Sequence, residues 1–228
     1  MTTIWFATFI GVLCSMYIAK NQSQSKGKLK IFDNPWTWEL IRNFLDLIFG
    51  LYKNRFRKIS KEWKIGNKLS VLDIGCGIGQ YSKITSSTYL GVDLNNRYID
   101  YCKKKFISEN NKSFRCADVT SLLDEKSKFD IVLMVDFLHH IPDEISKKLL
   151  NTASLLANQY IICFEPIKEQ SNFLGKLIID NDRGEYIRSL SDLHELFKNT
   201  NCKIIESSEL QIGPIKSRAI LAVPNAQI

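Results

Sequence analysis

The sequence predicts an α/β fold with a doubly wound, mainly parallel β-sheet, and three observations support this prediction. Short apolar segments alternate with amphipathic ones from residue 69 onward, which is the pattern of strands joined by crossover helices. Residues 129–135 form a nearly continuous apolar run, as expected for a central strand covered on both faces. A glycine-rich turn follows the first apolar segment, and ligands in such sheets bind at the carboxyl ends of strands.

The individual elements follow from the same patterns, taken in chain order. Strands are expected at residues 69–74, 88–93, 113–117, 129–135, 160–164, 203–207 and 218–223. Helices are expected from residue 80, at 97–106, at 142–157, and up to residue 198 with Ser191 as the N-cap. Residues 166–188 are less regular. The Gly213-Pro214 turn predicts that the last two strands pair in an antiparallel manner.

The charge of the chain is unevenly distributed. The 228 residues, 45% hydrophobic and 24% charged, suit one globular domain with an appendage. Residues 1–68 hold 12 Lys or Arg against 4 Asp or Glu, whereas residues 69–228 hold 19 against 20. This pattern argues against a nucleic-acid groove across the domain. It favours an N-terminal surface that meets anions such as phospholipid head groups.

Cysteine and histidine are spaced unlike the ligands of a metal site. The six cysteines contain no CxxC pair, and the three histidines offer no zinc-ligand spacing with them. We therefore expect reduced, mostly buried thiols in a reducing compartment, and no metal.

The N-terminal region reads as three segments: a membrane anchor at residues 1–20, a linker at 21–34 and basic amphipathic helices at 35–64. Residues 2–19 carry no charged side chain and just reach the length of a membrane span. Lysines follow at once, so by the positive-inside rule we expect the part of the chain after residue 20 to lie in the cytoplasm. The alternative for residues 2–19 is a helix that packs on the domain or lies in the membrane interface.

The segment 35–64 has the apolar periodicity of one amphipathic helix or of two helices broken near Gly50. Its second half is rich in lysine and arginine. Two interpretations stay open. The segment either lies on an anionic membrane, or caps the sheet edge or the ligand site with a solvated basic face.

The glycine turn indicates which ligand the domain binds. Gly75, Gly77 and Gly79 follow Asp73, but a dinucleotide fingerprint requires glycine where Gln80 stands. A phosphate-binding loop would end in Gly-Lys-Ser/Thr, which is missing. The Asp73 carboxylate would repel a pyrophosphate and would suit an ammonium group. These features favour S-adenosylmethionine, which joins an amino-acid end and a sulfonium to an adenosine.

Further candidate cofactor-binding residues follow the next two strands. Asp93 ends the second strand, where its carboxylate can accept hydrogen bonds from both ribose hydroxyls. Asp118 ends the third strand and is expected to accept from the adenine amino group. Leu94 and Val119 are expected to cover the two faces of the adenine.

Here the chain resembles the class I S-adenosylmethionine-dependent methyltransferase family, in its small-molecule, ubiquinone/menaquinone-methyltransferase-like branch. The segments that carry the resemblance are Asp73-Ile-Gly75-Cys-Gly77-Ile-Gly79, Gly91-Val-Asp93, Ala117-Asp118-Val119 and residues 129–143. The resemblance covers about residues 65–223 and implies a methyltransferase domain at 65–228. It also implies a Rossmann-like, seven-stranded sheet whose last strand is antiparallel. Carried over, Asp73 and the glycines hold the methionine end, Asp93 the ribose and Asp118 the adenine.

The residues after the fourth strand are the catalytic candidates. Methyl transfer mainly requires that the acceptor be aligned and water excluded, and a base is needed only if the acceptor must lose a proton. His140 is the candidate base, because a histidine titrates near working pH. Asp136 is expected to contact the cofactor amine or the acceptor. His139 is expected to pack or to form a backbone hydrogen bond.

The candidate substrate-binding residues are Arg183, Tyr186 and Arg188, between the fifth and sixth strands. The resemblance implies that this insertion faces the acceptor, and forked hydrogen bonds from arginine suit an anionic one. The alternative is a turn with surface ion pairs.

Taken together, the sequence predicts a membrane-associated methyltransferase that acts on a small or lipid-like acceptor at oxygen or carbon. One alternative is a methyltransferase for a protein, soluble sugar or metabolite, with residues 1–64 as a partner-docking arm. A second alternative is a non-catalytic module that binds S-adenosylmethionine.

Overall fold

The computed structural model of the chain describes residues 34–125, 127–180, 182 and 184–225. The predicted anchor at residues 1–20 lies outside the described residues, as do residues 21–33 of the predicted linker. Arg183, a candidate acceptor-binding residue, lies outside them as well.

A seven-stranded sheet forms the centre of the domain. Its strands are β1 (Val71–Ile74), β2 (Tyr89–Asp93), β3 (Lys112–Cys116), β4 (Phe129–Val135), β5 (Ala157–Pro166), β6 (Cys202–Ile212) and β7 (Ile215–Pro224). They are ordered β3-β2-β1-β4-β5-β7-β6. Strands β1 to β5 are parallel, and β7 is antiparallel to both β5 and β6. The predicted doubly wound sheet with an antiparallel last strand is therefore confirmed.

Helices flank the sheet and its edges. They are α1 (Pro35–Phe49), α2 (Leu51–Arg57), α3 (Asn96–Lys105), α4 (Asp143–Leu156), α5 (Phe173–Asp180) and α6 (Leu190–Lys198). A π-helical turn (Lys58–Glu62) continues α2, and 3₁₀ turns occur at Ser82–Ile84, Val119–Leu123 and Leu138–His140. Both faces of β4 are covered, since Val132 packs on the side of α4 and α6 while Leu133 packs on the side of α2 and α3.

Three local predictions about helices were wrong. The helix expected from residue 80 is only a short 3₁₀ turn, because the Thr85 hydroxyl bonds the carbonyls of Asn67 and Leu69. Helix α5 was not predicted, since its central Gly175 weakens the helical signal. Ser189 rather than Ser191 caps α6.

Helices α1 and α2 meet at Gly50, whose φ of 65° favours glycine and ends α1. Asn34 caps the start of α1 by accepting a hydrogen bond from the backbone N–H of Trp36 at 3.0 Å. Arg55 and Lys58, from the basic part of the sequence, are only 1% and 5% exposed. A fully solvated basic face is therefore wrong for these two residues, because Arg55 pairs with Asp136 and Lys58 pairs with Glu62 and Glu206.

Helix α1 turns apolar side chains away from the domain. Trp36 and Leu40 are each 71% exposed and Leu47 is 78% exposed. Together with the exposed Ile48 they form what we call the apolar face of α1. Spacings of four and seven residues place the first three on one side of the helix. Among the described residues, no helix has the length and apolar character needed to cross a bilayer.

Candidate functional site

The glycine turn after β1 has the backbone geometry that its sequence predicted. Gly75, Gly77 and Gly79 have φ values of 72°, 53° and 72°. A Cβ on Gly75 would collide with the Phe137 ring, so packing alone requires glycine there. A Cβ on Gly77 would instead point into open space. The turn therefore leaves room at Gly77 for a ligand to approach the backbone closely.

Asp73 lies at the end of β1 and is buried. Its Oδ2 accepts a hydrogen bond from the Tyr89 hydroxyl at 2.5 Å. Burial raises the pKa of Asp73 to about 7; the Tyr89 hydrogen bond opposes this rise and the charge of Asp93 adds to it. The carboxyl group thus sits in the interior, and its contact with the methionine end of the cofactor stays a prediction.

Replacing Asp73 by asparagine is expected to flatten the dependence of stability on pH. Tyr89 can donate the same hydrogen bond to the amide oxygen, so the local geometry is kept. In the folded chain the pKa of Asp73 is about 7, against an ordinary value of 3.8. Its contribution to stability is present below the ordinary value and is lost as pH rises through about 7, by about 4 kcal/mol in all.

Urea unfolding of Asp73→Asn and wild type between about pH 5 and about pH 8 measures this difference. Wild type should lose more stability than the variant across that range. Equal losses in the two proteins would contradict the assignment of a raised pKa to Asp73.

Asp93 ends β2 and holds the glycine turn in place. Its Oδ2 accepts from the Gly77 backbone N–H at 2.9 Å, and its Oδ1 accepts from the Asn95 backbone N–H at 2.8 Å. Each carboxylate oxygen has a second lone pair that can accept from a ligand hydroxyl. The next residue, Leu94, is 75% exposed. The end of β2 thus presents acceptor oxygens and an apolar side chain, as a nucleoside requires.

Asp118 and Val119 follow the end of β3 and differ in exposure. Asp118 is exposed, and its Oδ1 accepts from the backbone N–H and the hydroxyl of Thr120, at 2.8 and 2.7 Å. These hydrogen bonds lower the pKa of Asp118 and keep it ionised. Val119, by contrast, is buried in the core against Leu122. The contact of Val119 with an adenine face stays a prediction, as does that of Leu94, which is 75% exposed.

The sheet order brings these strand ends together, because β1, β2 and β3 are direct neighbours. Asp73 pairs in register with Gly91, two residues before Asp93, and Asp93 pairs with Cys116, two residues before Asp118. The open space at Gly77 and these acids fit an adenosyl amino acid. Within the described part of the chain, no group of three or more acidic, histidine or cysteine side chains is arranged to hold a metal ion.

Asp136, predicted to contact the cofactor amine or the acceptor, is instead bound by two arginines of the N-terminal helices. Arg55 of α2 donates to its two oxygens at 2.6 and 2.8 Å, and Arg42 of α1 donates to Oδ2 at 3.2 Å. Arg55 also donates to the Tyr81 hydroxyl at 2.7 Å. Although burial opposes ionisation, the two guanidinium groups hold the pKa of Asp136 well below its usual range. The carboxylate therefore fastens α1 and α2, which we call the cap, to the end of β4.

Glu165, near the end of β5, shapes the turn after β4. Its carboxylate accepts from the backbone N–H groups of Phe137, Leu138 and His139 at 2.8, 2.7 and 3.2 Å. It also lies 2.7 Å from Nδ1 of the buried His139 ring. Burial disfavours the charged ring, but the Glu165 carboxylate outweighs it and raises the pKa of His139. One carboxylate thus fixes the turn that carries His140.

The predicted acceptor segment packs directly on this turn. The Tyr186 backbone N–H donates to the His139 carbonyl at 2.9 Å, and Asp182 Oδ1 lies 3.5 Å from His139 Nε2. A Cβ on Gly184 would collide with the His139 ring, so the segment requires glycine there. The Tyr186 side chain is exposed. His140 is exposed too, with its ring centroid 4.1 Å from that of His139.

Arg188 does not serve as predicted. It is buried and donates to the Leu138 and Ile141 carbonyls at 2.7 and 2.9 Å. It also pairs with Asp143 through Nε at 2.8 Å. Because its donors are engaged by the chain itself, Arg188 positions the turn after β4 and does not hold an acceptor.

Two of the residues that sequence reasoning missed left a signal in the sequence. Glu165 is an acid at the end of an apolar strand, as Asp73 and Asp93 are. Arg55 stands four residues after Leu51, on the buried side of α2. Their partners, however, lie in distant parts of the chain.

Comparison with known proteins agrees with this geometry. The family described as "Methyltransferase domain" matches residues 71–159. A ubiquinone biosynthesis O-methyltransferase of Coxiella burnetii is 31% identical over 163 residues, which is 64% of this chain and 69% of that protein. An Escherichia coli O-antigen chain terminator bifunctional methyltransferase/kinase is 29% identical over 172 residues, which is 67% of this chain and 23% of that protein.

A solved structure shares the fold. Magnesium protoporphyrin IX methyltransferase from Synechocystis PCC 6803, crystallised with bound SAH, superposes with a TM-score of 0.58 at 18% identity. The match covers 98% of this chain and 100% of that one. With the glycine turn, the acids at the ends of β1 to β3 and the sheet order already in place, this chain belongs to the class I S-adenosylmethionine-dependent methyltransferase family.

Proposed function

We propose that this chain transfers the methyl group of S-adenosylmethionine to an oxygen or carbon atom of a small, lipid-like acceptor at the cytoplasmic side of a membrane. The observation that carries this proposal is the cap. Asp136 binds Arg42 and Arg55 and so fastens the cap to the end of β4, beside His140. The helix that carries the apolar face, α1, therefore lies at the carboxyl ends of the strands, where the site is.

The residues that would hold the cofactor are Asp73, Gly75, Gly77 and Gly79 for the methionine end, Asp93 for the ribose, and Asp118 and Leu94 for the adenine. When bound, S-adenosylmethionine supplies a methyl group made electrophilic by its sulfonium. The chain's own part is to fix the acceptor in line with that methyl group and to exclude water. The cap and the segment around Tyr186 supply that enclosure.

His140 is the candidate base for an acceptor hydroxyl that must lose a proton. It follows the turn fixed by Glu165, so its backbone position is set by the end of β5. A neutral imidazole accepts a proton near working pH. The relative named ubiquinone biosynthesis O-methyltransferase favours oxygen as the target atom. Tyr186 and Arg183 are the candidate acceptor contacts.

The proposed membrane anchor rests on sequence composition. Residues 2–19 carry no charged side chain, and lysines at 20, 26, 28 and 30 follow them. An anchor at residues 1–20 would leave the catalytic domain on the cytoplasmic side. Detergent-free fractionation of the full chain tests this, since a wholly soluble protein would refute the anchor.

Calorimetric titration with S-adenosylhomocysteine tests the cofactor assignment. Wild type should bind, and Asp93→Ala should bind at least about tenfold more weakly, because hydrogen bonds to a charged carboxylate are lost. His140→Ala should bind like wild type. In an assay with methyl-labelled cofactor and phenolic lipid acceptors, it should transfer methyl groups about 100-fold more slowly.

Absence of S-adenosylhomocysteine binding by wild type would refute the proposed function. Binding without transfer to any acceptor, in cell extracts analysed by mass spectrometry, would instead indicate a non-catalytic module. If His140→Ala transfers methyl groups at the wild-type rate, His140 is not the base, but the assignment as a methyltransferase stands.

A soluble or polymer-linked sugar is the second candidate acceptor. The Escherichia coli relative that favours it is a named O-antigen chain terminator, at 29% identity. Including saccharides in the acceptor panel distinguishes the two candidates.

A further inference from the structure

We propose that the apolar face of α1 binds an anionic lipid bilayer and so docks the domain with its site near the membrane. The inference rests on the proposed membrane-side function and names the surface that would bring the site to its acceptor.

Helix α1 directs its charged side chains toward the domain and apolar side chains outward. Its three charged side chains all bind the domain: Glu39 pairs with Tyr101 and Lys105, Arg42 with Asp136, and Asp46 with the backbone N–H of Tyr52. The outward side carries the apolar face, interrupted by the exposed but uncharged Asn43. Among the described residues, the Trp36 ring packs edge-on against that of Tyr101. An exposed helix normally turns charges to water, so this arrangement marks an interaction surface.

With 15 residues, α1 is too short to cross a bilayer. Helices that lie in the membrane interface bury an apolar face among the head groups and acyl chains. Here the charged side of the helix holds the domain, so the apolar face is directed outward as such docking requires.

The N-terminal part of the chain carries a net positive charge. Residues 1–68 hold 12 basic against 4 acidic side chains, and Lys53 and Arg57 of α2 are exposed. The chain enters α1 directly from a segment that contains the uncharged residues 2–19 followed by lysines. Anionic head groups attract such a region. A second copy of the chain would repel it, so the bilayer is the occupant to which we commit.

Helix α1 also packs on the β6–β7 turn, at the end of the sheet that bears the site. Phe49, at the end of α1, packs on Gly213 in the β6–β7 turn, and Gly175 of α5 packs on Pro214 in the same turn. Phe173 of α5 is 82% exposed. This turn follows β6. Because β6 runs parallel to β1, the carboxyl ends of both strands lie at the same end of the sheet. Docking through α1 therefore directs the carboxyl ends of these strands toward the bilayer.

The test uses the full chain and vesicles of phosphatidylcholine and phosphatidylglycerol with brominated acyl chains, which quench nearby tryptophan fluorescence. The difference between wild type and Trp36→Phe isolates Trp36 from the other tryptophans. We expect Trp36 to be quenched in wild type. The Leu40→Gln/Leu47→Gln variant should lose this quenching, because two apolar side chains are removed from the face.

Leu155→Gln/Ile205→Gln is the matched control, since both residues are exposed apolar side chains on other elements. It should keep the Trp36 quenching. Absence of Trp36 quenching in wild type, or an equal loss in the control, would overturn the proposal. Sedimentation as a dimer that Leu40→Gln/Leu47→Gln converts to a monomer would also overturn it, in favour of a second copy.

Titration with S-adenosylhomocysteine separates this inference from the proposed function. The Leu40→Gln/Leu47→Gln variant should bind that ligand as wild type does. If the wild-type protein docks on vesicles but does not bind S-adenosylhomocysteine, only the proposed function is refuted. If it binds S-adenosylhomocysteine but does not dock, only the proposed docking surface is refuted.

Discussion

Asp136→Ala is expected to lower the free energy of unfolding by about 3–5 kcal/mol. Arg55 is only 1% exposed, and it donates hydrogen bonds to both oxygens of the Asp136 carboxylate. The substitution therefore leaves its buried guanidinium without a counter-ion. Arg42 loses the same partner, so both helices of the cap are released from the end of β4. Urea or thermal unfolding measures the effect.

The control for Asp136 is a more exposed arginine–carboxylate ion pair. Arg115 donates to Glu125 at 2.5 Å, and the two side chains are 42% and 47% exposed, against 2% and 19% for Arg55 and Asp136. Glu125→Ala should therefore cost less than about 1 kcal/mol. Adding Arg55→Met to Asp136→Ala should recover part of the loss, because the unpaired charge is then gone. A cost for Asp136→Ala as small as that for Glu125→Ala would refute the fastening role.

Glu165→Ala is expected to cost about 4 kcal/mol or more and to abolish methyl transfer. The buried carboxylate serves three backbone N–H groups and the His139 ring, and its removal leaves these donors unsatisfied. The turn that carries His140 then loses its shape. Glu165→Gln keeps one acceptor oxygen, so it should lie between wild type and alanine. Denaturant unfolding and the labelled-methyl assay measure both quantities.

Glu169 provides the matched control, because it is an exposed acid that accepts from a single backbone N–H, that of Leu190, at 3.2 Å. Glu169→Ala should cost less than about 1 kcal/mol and keep activity. If Glu165→Ala has the same free energy of unfolding and the same rate of methyl transfer as Glu169→Ala, the turn after β4 does not depend on Glu165.

These two residues show where prediction from the sequence ends. Asp136 was correctly placed at the end of β4, but its partner Arg55 lies 81 residues away and appeared only as part of a basic segment. Glu165 and His139 are separated by 26 residues and meet because β4 and β5 are neighbours. Arg188 was assigned to the acceptor, yet it binds carbonyls of the turn after β4. Residue type and spacing carry no information about such partners.

The sequence by itself determined the sheet, the glycine turn and the acids at the ends of β1 to β3. These features are local, since apolar periodicity defines strands and only glycine readily adopts the φ of Gly75 and Gly77. The tertiary structure alone decided which side of α1 faces outward. That choice depends on Glu39, Arg42 and Asp46 finding partners on other elements. Because a charge is stable near the interior only when it is paired, those distant contacts turned the apolar side of the helix away from the domain.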